Sequence, residues 1–515
     1  MGWRRHSQNA STSFSGHQEV SRVADRSGGI PSITLPSFVR ELFLQFLWLT
    51  LFLLILPASL WMLRPLVLLS GLLIAASIWM MQRLVGLFNL KQLTISAFFY
   101  YLYIAVILIP GFFIFNDEIT PSRWRFLVGI ESVMLTVPLG IWVANFWLGF
   151  RKQETTNYFR QQVALEPPGA SAKRIYLVFL ALAFALVLIN LWETPVIPLV
   201  FLIRNPGDFL NAALLREDSF KLLNSNFTYA YYVLRGTVLP FLIMLAFGRY
   251  RLQKQALWRR LFLMSLLLGV SYAAITIEKS PVAAILGLLG IFYYLFKGGR
   301  IGKVGAILVP LLFISFPLIV ILLAYQGSEG GTLSGALQAI GNRLFYSPAQ
   351  VVYAYFEVFP SVIPFQHGAS LLKLAHLVGW KTVDIPNLVG LYMTDGQGID
   401  TISANSCFIG NANADFGLSG VVLNGVLAGF LMQFVNVYLC RKPKTVVNLA
   451  AYAICIWAFG MLVVSALSTT MLSGGVAFAL LLRWLFSDRQ RILPVDGWKA
   501  PPPPSLGSGL EPASG

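Results

Sequence analysis

Long apolar segments without charge constrain this chain more than any other feature of its sequence. Two of them, LFLMSLLLGVSYAA and VAAILGLLGIFYYLF, flank the short stretch 275–282, and neither contains a charged residue. Of the 515 residues, 57% are hydrophobic and only 12% are charged, about half the charged fraction of an average soluble domain. A bilayer core of about 30 Å needs roughly 17 to 25 apolar residues per helix. The sequence therefore predicts an all-α polytopic membrane protein.

Twelve segments satisfy this length and composition, some of them only just. The predicted spans are 41–63, 66–82, 93–115, 126–150, 175–200, 227–247, 261–277, 282–296, 304–324, 416–440, 449–467 and 470–486. Residues 325–415 form the longest connection between them. We expect about 12 transmembrane helices with one large loop before the tenth.

Lysine and arginine are concentrated in alternate loops, which predicts the orientation in the membrane. Positive residues favour the cytoplasmic side, and they cluster in the loops 151–174, 248–260, 297–303 and 441–444. The long loop 325–415 has only three, Arg343, Lys373 and Lys381. We therefore predict that the large loop faces outward and that both termini are cytoplasmic. The net charge of +16 is explained by the placement of lysine and arginine in the predicted cytoplasmic loops, so nucleic acid is not an expected partner.

The same pattern divides the chain into five parts. Residues 1–40 are predicted to be a disordered basic cytoplasmic arm, since they are too polar for a signal peptide, and 487–515 a disordered cytoplasmic tail. Helices one to nine occupy 41–324, the large outer loop 325–415, and helices ten to twelve 416–486. The three cysteines suggest neither a disulfide framework nor a zinc site, and no metal or cofactor is expected.

The large loop carries helical patterns of its own. Leucine and isoleucine recur at helical spacing in 333–344, aromatic and branched residues do so in 351–359, and 368–380 shows a similar run. Amphipathic helices of this kind lie along a membrane interface or cap a cavity between helices. Tyrosines and a tryptophan in the loop serve either as interfacial anchors or as flat faces for sugar rings. These aromatic residues are Tyr346, Tyr353, Tyr355, Trp380 and Tyr392.

A polar, glycine-rich stretch, 403–420, leads into the tenth predicted span. Asp415 stands just before the expected start of that helix, where an acid most simply serves as an N-cap. The glycines that follow, at 417, 420, 425 and 429, include a spacing that lets two helices approach closely.

Basic residues on the predicted outer side are unexpected there and therefore mark a candidate site. Arg235 is about nine residues into its span, roughly 13 Å deep at helical rise, and an ionisable group at such depth is costly. Glu278 and Lys279 lie in a short turn between two apolar segments, and the segment after the turn, 282–296, is too short to cross a bilayer. Either this second arm of the hairpin extends past Lys297, or the turn is recessed below the membrane surface. We favour the recessed turn. Four residues together are predicted to bind an anion such as diphosphate: Arg216, Arg235, Lys279 and Arg343.

These features together resemble a known family. Twelve spans, a large outer loop before the tenth, the charged hairpin TIEKSPV and the polar Gly-rich stretch after the loop resemble the Wzy-type oligosaccharide repeat unit polymerases and the related O-antigen ligases. The resemblance covers roughly 41–486 and implies a GT-C-like membrane glycosyltransferase. Glu278-Lys279-Ser280-Pro281 looks like the family's hairpin element, with Lys279 as its basic residue. The related ligases carry a histidine at a fixed distance before a pair of small residues. When Gly417 and Gly420 are taken as that pair, the positions of the histidine and its neighbour are Ser406 and Cys407, so the histidine is absent.

The resemblance implies a reaction at the outer face of the bacterial cytoplasmic membrane, without a metal. A growing glycan is transferred from a polyprenyl diphosphate donor to an incoming lipid-linked repeat unit, which makes polyprenyl-diphosphate-linked glycan, membrane lipid and a chain-length regulator protein the expected partners. The leaving diphosphate needs fixed positive charge, for which Arg235 and Lys279 are the main candidates. The acceptor hydroxyl needs a base. The candidates are Glu278, His367, His376, Asp395, Asp400 and Asp415.

Other function classes stay open at this stage. A flippase or transporter of lipid-linked oligosaccharide would show internal repeats and discontinuous helices, and no clear repeat is visible between the halves. An O-antigen ligase would carry the histidine that is absent here. A membrane O-acyltransferase would need an intramembrane histidine, and every predicted span lacks one.

Overall fold

A computed structural model describes most of the chain beyond the first predicted span. The described residues are 64–87, 89, 91–116, 120–164, 170–205, 208, 211, 214–215, 225–275, 279–300, 333–370, 383–396 and 403–487. All of them belong to one compact unit, Leu49–Gly515. The predicted arm 1–40 and most of the predicted tail 487–515 lie outside the described residues.

The described residues form helices and their connections, with one isolated parallel bridge between Ala164 and Thr445. The helices are α1 (Arg64–Val85), α2 (95–116), α3 (Pro121–Leu148), α4 (Lys152–Arg160), α5 (Ala170–Glu193), α6 (Pro198–Arg204), α7 (225–253), α8 (Ala256–Ile275), α9 (Lys279–Phe296), α10 (333–358), α11 (Ile385–Met393), α12 (Phe408–Cys440), α13 (Val446–Gly460), α14 (Leu467–Met471) and α15 (Val476–Phe486). Three of them contain a π-helical turn, at Ile104–Leu108 in α2, Leu234–Val238 in α7 and Asn342–Tyr346 in α10.

Eight stretches of the described residues are long and apolar enough to cross a membrane. Two shorter apolar helices, Leu69–Val85 and Ser280–Phe296, match two further predicted spans. The remaining predicted spans, 41–63 and 304–324, lie outside the described residues. The described part is therefore all-helical and typical of a multi-pass membrane protein, as the sequence predicted.

The helix after the charged hairpin is longer than predicted. α9 has 18 residues and begins at Lys279, which gives about 27 Å at helical rise. It ends at Phe296, where Gly298 donates its backbone N–H to Leu295 O at 3.0 Å and takes a positive φ of 66°. The alternative in which this arm continues past Lys297 is therefore wrong. A recessed turn stays a prediction, because 276–278 lie outside the described residues.

The tenth predicted span begins earlier than expected and contains a break. α12 begins at Phe408, with Cys407 as its N-cap residue, and Gly417 interrupts it with φ 64° and ψ −152°. Asp415 therefore lies at the end of the first helical segment, and its predicted role as an N-cap is wrong. The polar residues at 411–415 lie on a short helix that packs into the protein, whereas their polarity had suggested a loop.

The longest contact in the bundle joins α3 and α12, which run parallel. Contacts advance together along both helices, from Thr136 with Gly425 to Asn145 with Gln433, whose side chains hydrogen-bond at 2.6 Å. A Cβ atom added at Gly425 would collide with Thr136 Oγ1, and one added at Gly429 with the carbonyl oxygen of Val137. The predicted close packing at these two glycines is thus confirmed, and it holds α3 and α12 in register.

The helical patterns predicted in the large loop are confirmed for 333–358, which forms α10. Its C-terminal part packs onto α3 and α12: Phe356 contacts Gly129, and Asn413 Nδ2 donates to Tyr355 O at 3.3 Å. A further helix, α11, was not predicted. Of the third pattern, 368–380, residues 371–380 lie outside the described residues.

Two ends of the bundle can now be defined. The loop-rich end carries α10, α11, the segments 359–370 and 403–407, and the N-termini of α3 and α12. The basic end carries the connections 86–94, 149–164, 297–300 and 441–445. At the basic end, loops that were predicted to lie on the same side of the membrane contact each other: Ala164 N donates to Lys444 O at 2.9 Å. Leu93 N donates to the Tyr294 hydroxyl near the C-terminus of α9, also at 2.9 Å.

Candidate functional site

Asp415 fastens the segment 359–370 to α12. Its Oδ1 accepts the backbone N–H groups of Gly368 at 3.1 Å and Ser370 at 3.2 Å, and its Oδ2 accepts the Ser370 hydroxyl. Its side chain is only 4% exposed. The carboxylate is therefore engaged by three donors of one loop. We conclude that Asp415 acts as an anchor for this loop, and that its geometry does not suit the predicted alternative role of general base.

His367 is the side chain that this anchored loop presents. Its backbone N–H donates to Asp415 O at 3.0 Å, and its φ of 50° lies in the left-handed region, which is uncommon outside glycine. The side chain is exposed, and its ring centre lies 6.3 Å from that of Phe416. Backbone strain of this kind persists where the surroundings enforce it, and here the Asp415 bonds do so. Among the predicted bases that the structure describes, which are His367, Asp395 and Asp415, His367 combines an exposed side chain with a loop that Asp415 fixes.

Arg125, at the start of α3, reaches the beginning of the same loop. Its Nη2 donates to Ser361 Oγ at 3.0 Å and to Phe356 O at 3.4 Å. Its Nε is buried and has no hydrogen-bond partner among the described residues. Arg123, two residues earlier, places its guanidinium 5.5 Å from the ring centre of Tyr353. Sequence reasoning missed both arginines because the span was predicted to begin at 126. Their position on the predicted outer side was the available signal.

Arg235 lies on the π-helical turn of α7, in the half of that helix away from the basic end, which α7 reaches where Gly248 contacts Val446. Its guanidinium lies 5.5 Å from the ring centre of Tyr231 and 5.2 Å from that of Tyr232, within the range of a cation–π contact. Tyr231 also lines a crevice that is too narrow to hold a water molecule. The other lining residues are Val187, Asn190, Tyr272 and Ile275. The arginine is half-buried, so tyrosine rings accompany a cation that is partly withdrawn from water.

The remaining predicted site residues are distributed as follows. Lys279 is the first residue of α9, a neighbour of the helix that carries Arg235, and its side chain lies outside the described part. Arg343 is exposed on the π-helical turn of α10. Arg216, Glu278 and His376 lie outside the described residues, as does Asp400. The structure thus brings Asp415 and His367 together, and it places Arg235 on another set of helices.

Glu131 is an acid within a membrane span that sequence reasoning missed. It lies on α3, ten residues after Pro121, which is about 15 Å along the helix. Glu131 is 9% exposed, and its carboxyl lies beside the hydroxyl of Ser70 on α1. A functional role is the default hypothesis for such a group, and the signal was its presence in an otherwise apolar run.

At the basic end, two cations, Lys444 and Arg441, are bound by protein partners. Lys444 is 3% exposed, and its Nζ donates to Phe159 O and Gln161 O, each at 3.0 Å. Burial lowers the pKa of Lys444 from 10.5 to about 8. Arg441 pairs with Glu154 at 3.0 Å and donates to Leu148 O at 3.0 Å. These side chains join loops to one another.

Comparison with family models, with curated proteins and with solved structures finds no match for this chain. Within the described ranges, no group of three His, Cys, Asp or Glu side chains could hold a metal ion. The fold and the two ends define a multi-pass helical membrane protein with a structured, polar loop region at one end.

Proposed function

We propose that the protein polymerises polyprenyl-diphosphate-linked oligosaccharide repeat units at the outer face of the bacterial cytoplasmic membrane. The observation that carries the proposal is the loop 359–370, which Arg125 holds at its start and Asp415 holds at its end. This loop presents an exposed histidine and is held at its start by an arginine, at the end that the charge rule assigns to the outside. The resemblance to Wzy-type polymerases supplies the reaction.

The reaction needs one base and one site for a leaving anion. The acceptor hydroxyl oxygen attacks the anomeric carbon of the donor glycan, and the bond from that carbon to the diphosphate oxygen breaks. Polyprenyl diphosphate leaves with the electron pair, and the hydroxyl proton passes to the base. His367 is our candidate for the base, since its side chain is exposed and its loop is fixed. A positioned base contributes about 10²–10⁴-fold.

Two lipid diphosphates take part, because both donor and acceptor are lipid-linked, and two arginine groups lie away from the basic end. Arg125 contacts the loop that carries His367, so we assign the leaving diphosphate of the donor to this arginine. We assign the retained diphosphate of the acceptor to Arg235 and Lys279, with Arg216 and Arg343 as helpers. Fixed guanidinium groups in a water-poor site stabilise such charge without reorganisation.

The test is polymerisation by purified protein in liposomes supplied with one synthetic polyprenyl-diphosphate-linked repeat unit. We expect a ladder of glycans that differ by one repeat, with one polyprenyl diphosphate released per bond formed. R125A and R235A should each lose chain growth while the protein still folds and inserts, and R125A should also lower the melting temperature slightly because it removes the bond to Ser361. The proposal would be contradicted if the wild-type protein made no glycan ladder, or if both variants made normal ladders.

A flippase for lipid-linked oligosaccharide is the second candidate, and one observation favours it. α12 is interrupted at Gly417, and discontinuous helices are common at the substrate sites of transporters. The same liposomes separate the two functions. Transfer of the lipid-linked repeat across the bilayer without any new glycosidic bond would support the flippase.

A further inference from the structure

A group of tyrosines and acids lies at the loop-rich end, apart from the anchored loop. Its members, which we call the tyrosine–acid group, are Tyr353 and Glu357 of α10, Tyr392 of α11 and Asp395 just after α11. The Tyr353 hydroxyl donates to Glu357 Oε1 at 3.4 Å. Partial burial raises the pKa of Tyr392, and the nearby Glu357, Tyr353 and Asp395 raise it further. α10 and α11 pack against each other through Ala354 and Val389, so these side chains of two helices lie on one polar and aromatic surface.

Tyr353 and Tyr392 have different surroundings within this group. The Tyr353 ring is held between the edge of Phe126, at 5.6 Å between ring centres, and the Arg123 guanidinium. Tyr392 is 39% exposed, and Asp395 is exposed beside it. Asp395 has a φ of 50°, and its backbone N–H donates to Tyr392 O at 3.2 Å. Tyr353 therefore acts as a fixed support, whereas Tyr392 offers a ring to a ligand.

The chemistry of the group favours a sugar over a lipid surface. An aromatic anchor at a membrane interface is accompanied by apolar or basic neighbours, whereas the charged groups near Tyr392 are the carboxylates of Glu357 and Asp395, which repel anionic headgroups. Carboxylates accept hydrogen bonds from hydroxyl groups, and charge-assisted bonds of this kind are stronger than neutral ones. A neutral pyranose has both an apolar face and hydroxyl donors.

We propose that the tyrosine–acid group binds a neutral sugar ring of the repeat unit, with the Tyr392 ring against the apolar face and Glu357 and Asp395 accepting its hydroxyl groups. The inference rests on the proposed function for the source of the glycan and adds where that glycan is held. Arg123 positions Tyr353 through its cation–π contact.

Binding is tested without lipid, diphosphate or turnover. The probe is the free oligosaccharide of one repeat unit, released by mild acid from the surface polysaccharide of the source organism, titrated into the purified full chain by calorimetry. Y392A should weaken binding about tenfold or more, and E357Q by a smaller factor. Y346A is the matched control, because Tyr346 is also a tyrosine of the outer loop and also 39% exposed; it should bind like the wild type.

The outcomes separate this inference from the proposed function. Equal binding by Y392A and the wild type, or no binding by the wild type, overturns the sugar site whatever the polymerisation assay gives. Binding that depends on Tyr392 in a protein that makes no glycan ladder supports the sugar site and contradicts the polymerase. Loss of oligosaccharide binding on calcium chelation would contradict direct hydrogen bonds from the sugar to the two acids, because a bound cation would then lie between them.

Discussion

At the basic end of the bundle Lys444 and Arg441 join loops through hydrogen bonds and an ion pair, whereas at the loop-rich end His367 faces solvent on a loop that other residues hold. Lys444 donates to two backbone carbonyls, and Arg441 pairs with Glu154. At the other end, His367 is exposed, and Arg235, in the half of α7 away from the basic end, lies over two tyrosine rings. The difference indicates that charge at the basic end serves topology and stability. Charge at the loop-rich end, where the positive-inside rule does not call for it, is the better marker of function.

The largest expected effect concerns His367. H367A should reduce the initial rate of chain growth in liposomes about 10²–10⁴-fold, as expected for removal of a general base, with an unchanged melting temperature because the side chain is exposed. Q366A is the control from the same loop and should keep most of the wild-type rate. A rate for H367A within a few-fold of wild type would remove this residue from the mechanism.

The next effect is a pH dependence of stability at the basic end. In the folded protein the pKa of Lys444 is about 8, lower than the ordinary value of 10.5 for a lysine side chain. Between these two values the unfolded state binds more protons, so the free energy of unfolding should rise as pH increases from about 8 to about 10.5. The rise is at most ~3 kcal/mol. Thermal unfolding of the detergent-solubilised protein measures it.

K444M is the control for this pH dependence. The variant lacks the titrating group, so the part of the rise that belongs to Lys444 should disappear. Activity per folded molecule should stay at the wild-type level, since the basic end is assigned no catalytic group. Identical pH profiles for K444M and the wild type would show that the buried lysine does not set the stability in this range.

A smaller effect is expected from the anchor at Asp415. D415A leaves the N–H groups of Gly368 and Ser370 without their acceptor, at a cost of about 1–3 kcal/mol for an unsatisfied buried group. Chain growth should fall about tenfold, because His367 loses its fixed position. S370A keeps the carboxylate and should lose less. A normal rate for D415A together with lowered stability would limit Asp415 to a structural role.

The smallest expected effect is at the pair of Glu154 and Arg441. Their side chains are 34% and 43% exposed, and exposed ion pairs contribute about 0.2–1 kcal/mol. E154Q should therefore lower the melting temperature only slightly and leave the rate of chain growth unchanged. A large loss of activity in E154Q would contradict the assignment of function to the loop-rich end alone.

The spans were predictable because length and apolar composition suffice to define them, and the ten apolar helices of the described residues correspond to ten of the twelve predicted spans. The break at Gly417 was not predictable, since the sequence cannot distinguish a glycine that breaks a helix from one that allows close packing. The early start of α12 was missed because Asn413 and Asp415 are polar. In the fold, Asn413 donates to Tyr355 O, and Asp415 accepts hydrogen bonds from the loop at 366–370.

The site was partly predictable for the same reasons. The rarity of histidine and the charge rule identified His367 and Arg235 as candidates. The contact between Asp415 and Ser370 spans 45 residues of sequence, so only the folded chain reveals that the acid anchors the histidine loop. Arg125 was missed through a span boundary five residues late.

Chemical labelling at the two ends tests the central claim most directly. All three native cysteines are buried, so V362C at the loop-rich end and Q162C at the basic end each offer one exposed thiol. Proteoliposomes are treated with a bulky maleimide that reaches both ends, and chain growth is measured before and after labelling. We predict that labelling stops chain growth in V362C and leaves it unchanged in Q162C. Inhibition of Q162C with full activity in labelled V362C would contradict the account.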